Sequence, residues 1–380
     1  MVQNTESPLI IPVAIAKTSA KSDDVAAACN QVISMVGGLD HIIKPGQTVL
    51  IKANIVAPIL HAVTSKEVLI SVIHIIEDAG AKAIVGGCPG FEYDSHKTME
   101  ILGLDTIKKF TNARILNFDD DDFADVPLDH HRVKRVRVAR SAIESDLIIN
   151  IPKLKRHKLT DVSISIKNCM GLLEKSSRRE IHAKGLDEGI AAFYELFHPA
   201  MSIVDGITVP ISGAVYGDYF NLGIVAASTD MLALDTTLCS FIGQDPLKVK
   251  HLVMAGKYSQ PKPVVLGYNE NQAVIKATNR KIRLKVYRHL FASIYALDHY
   301  LSRYRNDSLI PWFHKNFGIH PVIHWKLCDL CEACTLVCPA NAIDLKSRRL
   351  DYTKCSKIRC MFCVDACPRG AIIPKNLFKT

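Results

Sequence analysis

Eight cysteines between Cys328 and Cys367 fall into two successive runs whose spacing suits ligation of iron. The first run is Cys328-x2-Cys331-x2-Cys334-x3-Cys338-Pro339, and the second is Cys355-x4-Cys360-x2-Cys363-x3-Cys367-Pro368. Three thiolates two residues apart lie along one tight loop and can wrap three irons of a cubane. The cysteine before proline is carried off on the next short helix and reaches the other cluster. The spacing therefore predicts two 4Fe-4S clusters with crossed ligation. Cys328, Cys331, Cys334 and Cys367 would hold the first, and Cys355, Cys360, Cys363 and Cys338 the second. Structural zinc favours two pairs of ligands over a run of four that ends in Cys-Pro, and a reducing cytosol disfavours disulfides. In the second run Ser356, Lys357, Ile358 and Arg359 separate the first two cysteines, which predicts a bulged loop at Cys355.

A second constellation is basic. Between Lys153 and Lys184 there are nine Lys/Arg against three acids, with His157 and His182 added. The stretch Pro152-Lys153-Leu154-Lys155-Arg156-His157-Lys158 leads on to Ser165-Ile166-Lys167-Asn168-Cys169-Met170-Gly171. Lysines supply point charges and glycine turns expose backbone amides, so a phosphate or carboxylate is the natural occupant. A solvated basic face is the plainer reading. Lys153 and Lys167 stand out because each is embedded beside apolar residues.

These residues need elements to place them. Thr48 to Lys52 reads as a buried strand, Ser65 opens an apolar-periodic helix to about Ala79, Gly80 stops it, and Lys82 to Gly86 is the next strand. Further strands are expected at 113–118, 146–151, 201–204 and 223–227, and an exposed acidic loop from Asp119 to Asp129. The expected fold class is α/β, a mostly parallel sheet flanked by helices, followed by a C-terminal α+β two-cluster domain. The expected division is 1–270 for the α/β domain, 271–323 for a basic helical connector and 324–380 for the cluster domain. In open parallel sheets, ligands collect beyond the carboxyl ends of the strands. That rule selects Lys52, Asn54, Lys153, His157, Lys167 and Asn168 as anion-binding candidates, and Lys153, His157, Lys167 and Asp205 as catalytic candidates. Cys88, in Gly86-Gly87-Cys88-Pro89-Gly90, is a candidate thiol. Asp230 reads as part of a helix start, and Asp235 lies deeper in the apolar stretch that follows.

Composition bounds the function. The net charge of +9 lies in the C-terminal part: residues 271–323 hold nine Lys/Arg against two Asp/Glu, and 324–380 hold ten against five. Part of this charge offsets clusters that each carry roughly −2 with their thiolates. The rest suits an acidic redox partner protein, or peripheral membrane contact through 271–323. The aromatics Tyr287, Phe291, Tyr295, Tyr300 and Tyr304 of that stretch fit helix packing better than base stacking, so nucleic acid is not the expected partner. No apolar run reaches the roughly 18 residues that span a bilayer, and the N-terminus does not read as a signal peptide, so the expected location is cytoplasmic. The glycine-rich run lacks G-x-G-x-x-G spacing, and no flavin or nicotinamide motif is found.

The elements Lys153-Leu154-Lys155-Arg156-His157, Lys167-Asn168-Cys169-Met170-Gly171, Val204-Asp205-Gly206 and Asp230 to Asp235 resemble the domain-of-unknown-function 362 family. The likeness covers most of residues 45–270. The family often carries a C-terminal two-cluster bacterial-type ferredoxin, which the cysteine runs here resemble. The chain departs from the family pattern at Lys52-Ala53-Asn54, where Lys-Pro-Asn is usual, and at Gly87-Cys88-Pro89-Gly90, where Asp-Ser-Pro-Gly is usual. The stretch Thr208 to Gly217 lacks the family's Met-Glu-Gly-Asn-Gly-Pro-like run. The expected function is an iron-sulfur oxidoreductase with a small anionic substrate. The alternative is a non-catalytic electron carrier, or a scaffold that binds an anion or a partner.

Overall fold

Successive residues of a strand face opposite ways, and the strand Ile10–Lys17 uses this to feed two cores: Val13 and Ile15 enter one layer, Ala14 and Ala16 the other. A computed structural model of the chain describes residues 10–91, 93–211, 213, 215, 219–259, 261–268, 293, 297, 298, 300, 301, 319–358 and 362–376. The N-terminal part runs β1 (Ile10–Lys17), α1 (Ser22–Met35), β2 (Thr48–Ala53), α2 (Lys66–Asp78), β3 (Lys82–Gly87), α3 (Ser95–Leu102), β4 (Arg114–Asn117), β5 (Phe123–Pro127), β6 (Arg135–Ala139), α4 (Arg140–Glu144), β7 (Leu147–Ile151), β8 (Lys155–His157), β9 (Asp161–Ser163), α5 (Ser165–Asn168), α6 (Lys175–Lys184), α7 (Leu186–Leu196), β10 (Met201–Pro210), β11 (Tyr219–Ser228), α8 (Met231–Phe241), α9 (Lys250–Ala255) and β12 (Lys262–Gly267).

Eight of these strands form one sheet in the order β12-β1-β11-β10-β7-β2-β3-β4. All run parallel except β11, which is antiparallel to both β1 and β10. This is the expected mostly parallel α/β sheet. One face is covered by α1 and α2, whose Val25, Val32, Leu69, Val72 and Ile76 meet Val49, Ile51, Val85 and Ile149. The other face is covered by α7, α8 and α9 through Ile190, Phe193, Leu234, Leu238 and Leu252. Gly86 is required where it stands, because a Cβ there would lie 2.3 Å from the Phe118 ring.

The expected strands at 48–52, 82–86, 113–118 and 146–151 are present within two residues at each end. β10 and β11 run longer than the expected 201–204 and 223–227 and form a hairpin with a bulge between Gly206 and Thr208. The acidic stretch is not simply a loop. Phe123–Pro127 pairs with Arg135–Ala139 and sets Asp125 opposite Arg137, while Asp119 and Asp129 form ion pairs with Lys175 and Lys257. The sheet also has the flanking strands β1 and β12, which the sequence reading did not assign.

In the C-terminal module, β13 (Ile319–Ile323) pairs antiparallel with β16 (Ile372–Asn376), and β14 (Ile343–Asp344) with β15 (Arg349–Leu350). The paired strand opens at Ile319, ahead of the expected start at His324, because the module's last strand needs an edge partner. Short helices cover Ala333–Leu336, Tyr352–Ile358 and Phe362–Asp365. Most of the expected helical connector at 271–323 lies outside the described residues. Among the described residues, no helix is long and apolar enough to cross a membrane.

Candidate functional site

Lys52 sits near the carboxyl end of β2 on the face that Leu50 shares, so its side chain runs into the α7–α9 layer rather than into water. It is 2% exposed, donates to the Ala53 carbonyl at 2.5 Å, and lies against Gly171, where a Cβ would come within 2.7 Å of its Nζ. Lys155, the first residue of β8, donates from Nζ to Asn54 Oδ1 and to the Ala62 carbonyl, both at 2.9 Å. Lys153 donates to Asp205 Oδ1 at 2.8 Å. Lys167 follows on α5. Burial, and then the charges of Lys167, Lys153 and Lys52, push the Lys155 ammonium well below its ordinary range, so all four lysines converge.

Buried amides brace this cluster. Asn168 Nδ2 donates to Asn150 Oδ1 at 2.8 Å and to the Lys52 carbonyl at 3.1 Å, and Asn54 Nδ2 donates to Asn168 Oδ1 at 2.9 Å. Asn54 Oδ1 is then free to accept from Lys155, which completes a relay from β7 through α5 to β2. Asp235 accepts from the backbone N–H groups of Ser165 and Ile166 at 2.9 and 3.1 Å and so holds the start of α5, although burial pushes its carboxyl up to about 7. Asp230 caps α8 by accepting from the Ala233 N–H at 2.7 Å.

The site is short of negative charge. Burial lowers Lys52 to about 8, with Cys88 and Cys169 opposing the shift and Arg178 adding to it. Burial also lowers Lys167 to about 8, partly opposed by Asp187. His157 is held well below its ordinary range by burial, then by Lys167, Lys155, His182 and His251. Its Nδ1 accepts from the Leu159 and Thr160 N–H groups at 3.1 and 3.3 Å, so the neutral ring carries its proton on Nε2. Burial and Lys167 bring His182 to about 3. Each group is electrostatically deprived, as expected of an interior shaped to receive an anion.

The structure thus brings together Lys52, Asn54, Lys153, His157, Lys167, Asn168 and Asp205, all selected from the sequence. Within the set, Lys153 and Asp205 are already paired with each other. Asp205 also accepts from the Ser65 and Ile207 N–H groups at 2.8 and 3.1 Å, so this pair fixes β10 to the start of α2. Cys88 Sγ points to the Gly171 carbonyl at 3.5 Å, beside Lys52. The sequence reading did not single out Lys155 or Arg178. Lys155 carried a signal in its period-2 spacing from Lys153. Arg178 sat within a charge run on α6 and had none.

In the C-terminal module, burial and then the charges of Cys328, Cys367 and Cys331 push the Cys334 thiol up, and Cys334 and Cys367 pack in one hydrophobic cluster. Cys338 Sγ accepts the Ala342 N–H at 3.4 Å and Cys367 Sγ accepts the Ala371 N–H at 3.2 Å, the same four-residue step after each Cys-Pro. Such bonds stabilise thiolate ligands of a cluster. Cys363 is buried among Ile323, Cys334 and Ile372. Cys355 lies within the helix Tyr352–Ile358, so Ser356, Lys357 and Ile358 are helical, and Arg359, the rest of the expected bulged loop, lies outside the described residues. Cys360 lies outside the described residues. Val364, next to Cys363, packs both in this module and against the Ala57, Ile59, Ala62 and Tyr93 cluster of the α/β domain.

Comparison with known proteins adds to this geometry. A family model described as a domain of unknown function (DUF362) matches residues 49–240. A second, described as a 4Fe-4S binding domain, matches residues 321–344 and takes in Cys328, Cys331, Cys334 and Cys338. Thylakoid-associated protein sll1697 of Synechocystis sp. is 26% identical over 241 residues, 61% of this chain and 74% of that one. Among solved structures, the lactate racemase apoprotein from Thermoanaerobacterium thermosaccharolyticum is similar at 12% identity and a TM-score of 0.42, covering 62% of this chain and 57% of that one. A Thermotoga maritima protein is similar at 13% identity and a TM-score of 0.34, covering 51% and 52%. The chain therefore spans just over half the length of each of these two structures.

Proposed function

Because the chain belongs to the DUF362 family and carries a 4Fe-4S binding domain, we propose that it is an iron-sulfur oxidoreductase acting on a small anion held in the lysine-lined site. The observation that carries this reading is the convergence of Lys52, Lys155 and Lys167 on one buried place, with the nearby carboxylate Asp205 already engaged by Lys153. In this reading Lys52, Lys155 and Lys167 bind the anion, and the Asn54–Asn168–Asn150 relay fixes their positions. His157 Nε2–H donates a hydrogen bond to the substrate. Lys167 Nζ gives or takes a proton near neutral pH, since burial has already brought it to about 8.

Two clusters would be held, one by Cys328, Cys331, Cys334 and Cys367 and one by Cys338, Cys355, Cys360 and Cys363; when bound they supply electrons one at a time. Val364 supports the second as the nearer to the site. It packs against the cluster that contains Ala62, and the Ala62 carbonyl accepts from Lys155. The proposed location is cytoplasmic. A redox partner protein and peripheral membrane contact through 271–323 belong to the same proposal, and the second is in keeping with a relative described as thylakoid-associated.

The test is reoxidation of dithionite-reduced, anaerobically purified protein by pools of carboxylated and phosphorylated metabolites, followed by cluster absorbance. One pool is expected to reoxidise the wild type, and Lys167→Gln is expected to slow that step at least about tenfold. Reoxidation by a protein partner alone, unchanged in Lys167→Gln, would instead establish the carrier reading.

Anion binding is also expected to depend on pH. Burial brings the Lys52 and Lys167 ammonium groups down to a pKa of about 8. An anion favours the protonated amines, so above that pH binding must take up a proton, and affinity falls as pH rises from 7 to 9. The slope is about tenfold per pH unit for each proton taken up. Calorimetric titration with sulfate, whose own charge is constant over this range, reads it directly. A flat profile would mean that the lysines do not face the anion.

A further inference from the structure

Arg178 is 6% exposed, yet among the described residues two of its nitrogens have no hydrogen-bond partner. Nη1 donates to the Pro89 carbonyl at 2.9 Å, which anchors the guanidinium to the Gly86–Gly90 loop, whereas Nε and Nη2 make no hydrogen bond. Those two nitrogens form one edge of the guanidinium, the edge that binds two oxygens of an oxyanion side by side. The Phe91 ring lies 5.3 Å from the guanidinium carbon and stiffens it from one face. Among the described residues, the carboxylate oxygen that approaches the guanidinium is Asp119 Oδ1, 4.0 Å from Nη2 and beyond hydrogen-bond range, while Asp119 Oδ2 faces Lys175 Nζ at 2.6 Å.

The open edge belongs to the same interior as the lysines. Arg178 and Lys52 act on each other electrostatically, and His182 feels both Arg178 and Lys167. A buried guanidinium with two unsatisfied donors costs stability unless something fills them. The loop it is tied to brings Cys88, with its sulfur toward Gly171, to the same wall.

We infer that the Nε–Nη2 edge of Arg178 is the specificity element of this site, taking two oxygens of a carboxylate or phosphate group on the substrate. This rests on the anion-site reading above and sharpens it. The substrate presents an oxyanion to Arg178 beside the Gly86–Gly90 loop and directs the rest of the molecule toward Lys167 and His157. A lysine at 178 keeps the charge but cannot offer the paired donors.

The test is calorimetric binding of succinate and of inorganic phosphate to the full chain at fixed ionic strength, with Arg178→Lys, Lys167→Gln and Asp119→Asn as variants. One probe is expected to bind the wild type, and the two probes separate carboxylate from phosphate. Arg178→Lys is expected to weaken that probe at least about tenfold. Asp119→Asn, which removes the competing carboxylate, is expected to bind it as tightly or more tightly. Loss in Lys167→Gln with no change in Arg178→Lys would overturn the role of Arg178 and leave the anion site standing. Binding that appears in Asp119→Asn alone would mean that Asp119 closes the edge, and would also overturn it. If Arg178→Lys does not fold, Asp119→Asn decides: weaker binding than wild type overturns the assignment. Failure of both probes with every protein would remove the anion site itself.

Discussion

Cys334→Ala and Cys367→Ala are expected to lose the same cluster, although they belong to different cysteine runs. Wild-type protein purified without oxygen should carry about eight irons, and either variant about four. Both should lack the same reduced-state EPR signal, while Cys338→Ala should lack the other one. The expectation rests on the crossed ligation that the spacing predicts, and Cys367, the last cysteine of the second run, packs in one hydrophobic cluster with Cys334 and adds to the upward push on its thiol. The matching N–H donations to Cys338 and Cys367 point to two equivalent positions. Loss of one signal in Cys334→Ala and of the other in Cys367→Ala would sink the crossed assignment. About four irons in the wild type would restrict the module to a single cluster.

Asp205→Ala should destabilise the α/β domain by about 3–5 kcal/mol, because it strands a buried ammonium. The Lys153 and Asp205 side chains are 2% and 0% exposed, and Asp205 serves three donors: Lys153 Nζ and the N–H groups of Ser65 and Ile207. Asp205→Asn keeps an acceptor oxygen and should cost less. Lys153→Met in the Asp205→Asn background should recover part of the loss, since a neutral pair avoids the uncompensated charge. Urea denaturation followed by circular dichroism measures all three. A midpoint for Asp205→Ala within about 1 kcal/mol of wild type would show that the pair is solvated, and Lys153 would return to the group of anion ligands.

The cysteine runs and the βαβ units were legible in the sequence, because both are local patterns. Ligand spacing along a loop and alternation along a strand depend on neighbours in the chain, so Cys328 to Cys338 and Thr48 to Ala53 declare themselves without a fold. The basic stretch from Lys153 to Lys184 was visible as a charge excess, but its meaning was not: a solvated face and a buried site have the same composition. Only the packing of α5 and α6 over the ends of β2, β3 and β7 turned those charges inward. The run of residues 152–154 alongside β10 paired Lys153 with Asp205, and burial left Lys52 and Lys167 with depressed ammonium groups. The packing also exposed the open edge of Arg178, which no spacing announces because its anchor, Pro89, lies on a different element. The packing of Val364 against the Ala57, Ile59, Ala62 and Tyr93 cluster is of the same kind. The sequence by itself determined which chemistries are available, cluster ligation and anion binding, since these follow from residue type and local spacing. Which groups are paired, which are starved of a counter-charge and which module lies beside which site were decided by tertiary structure, because desolvation and hydrogen-bond satisfaction depend on neighbours that are remote in the chain.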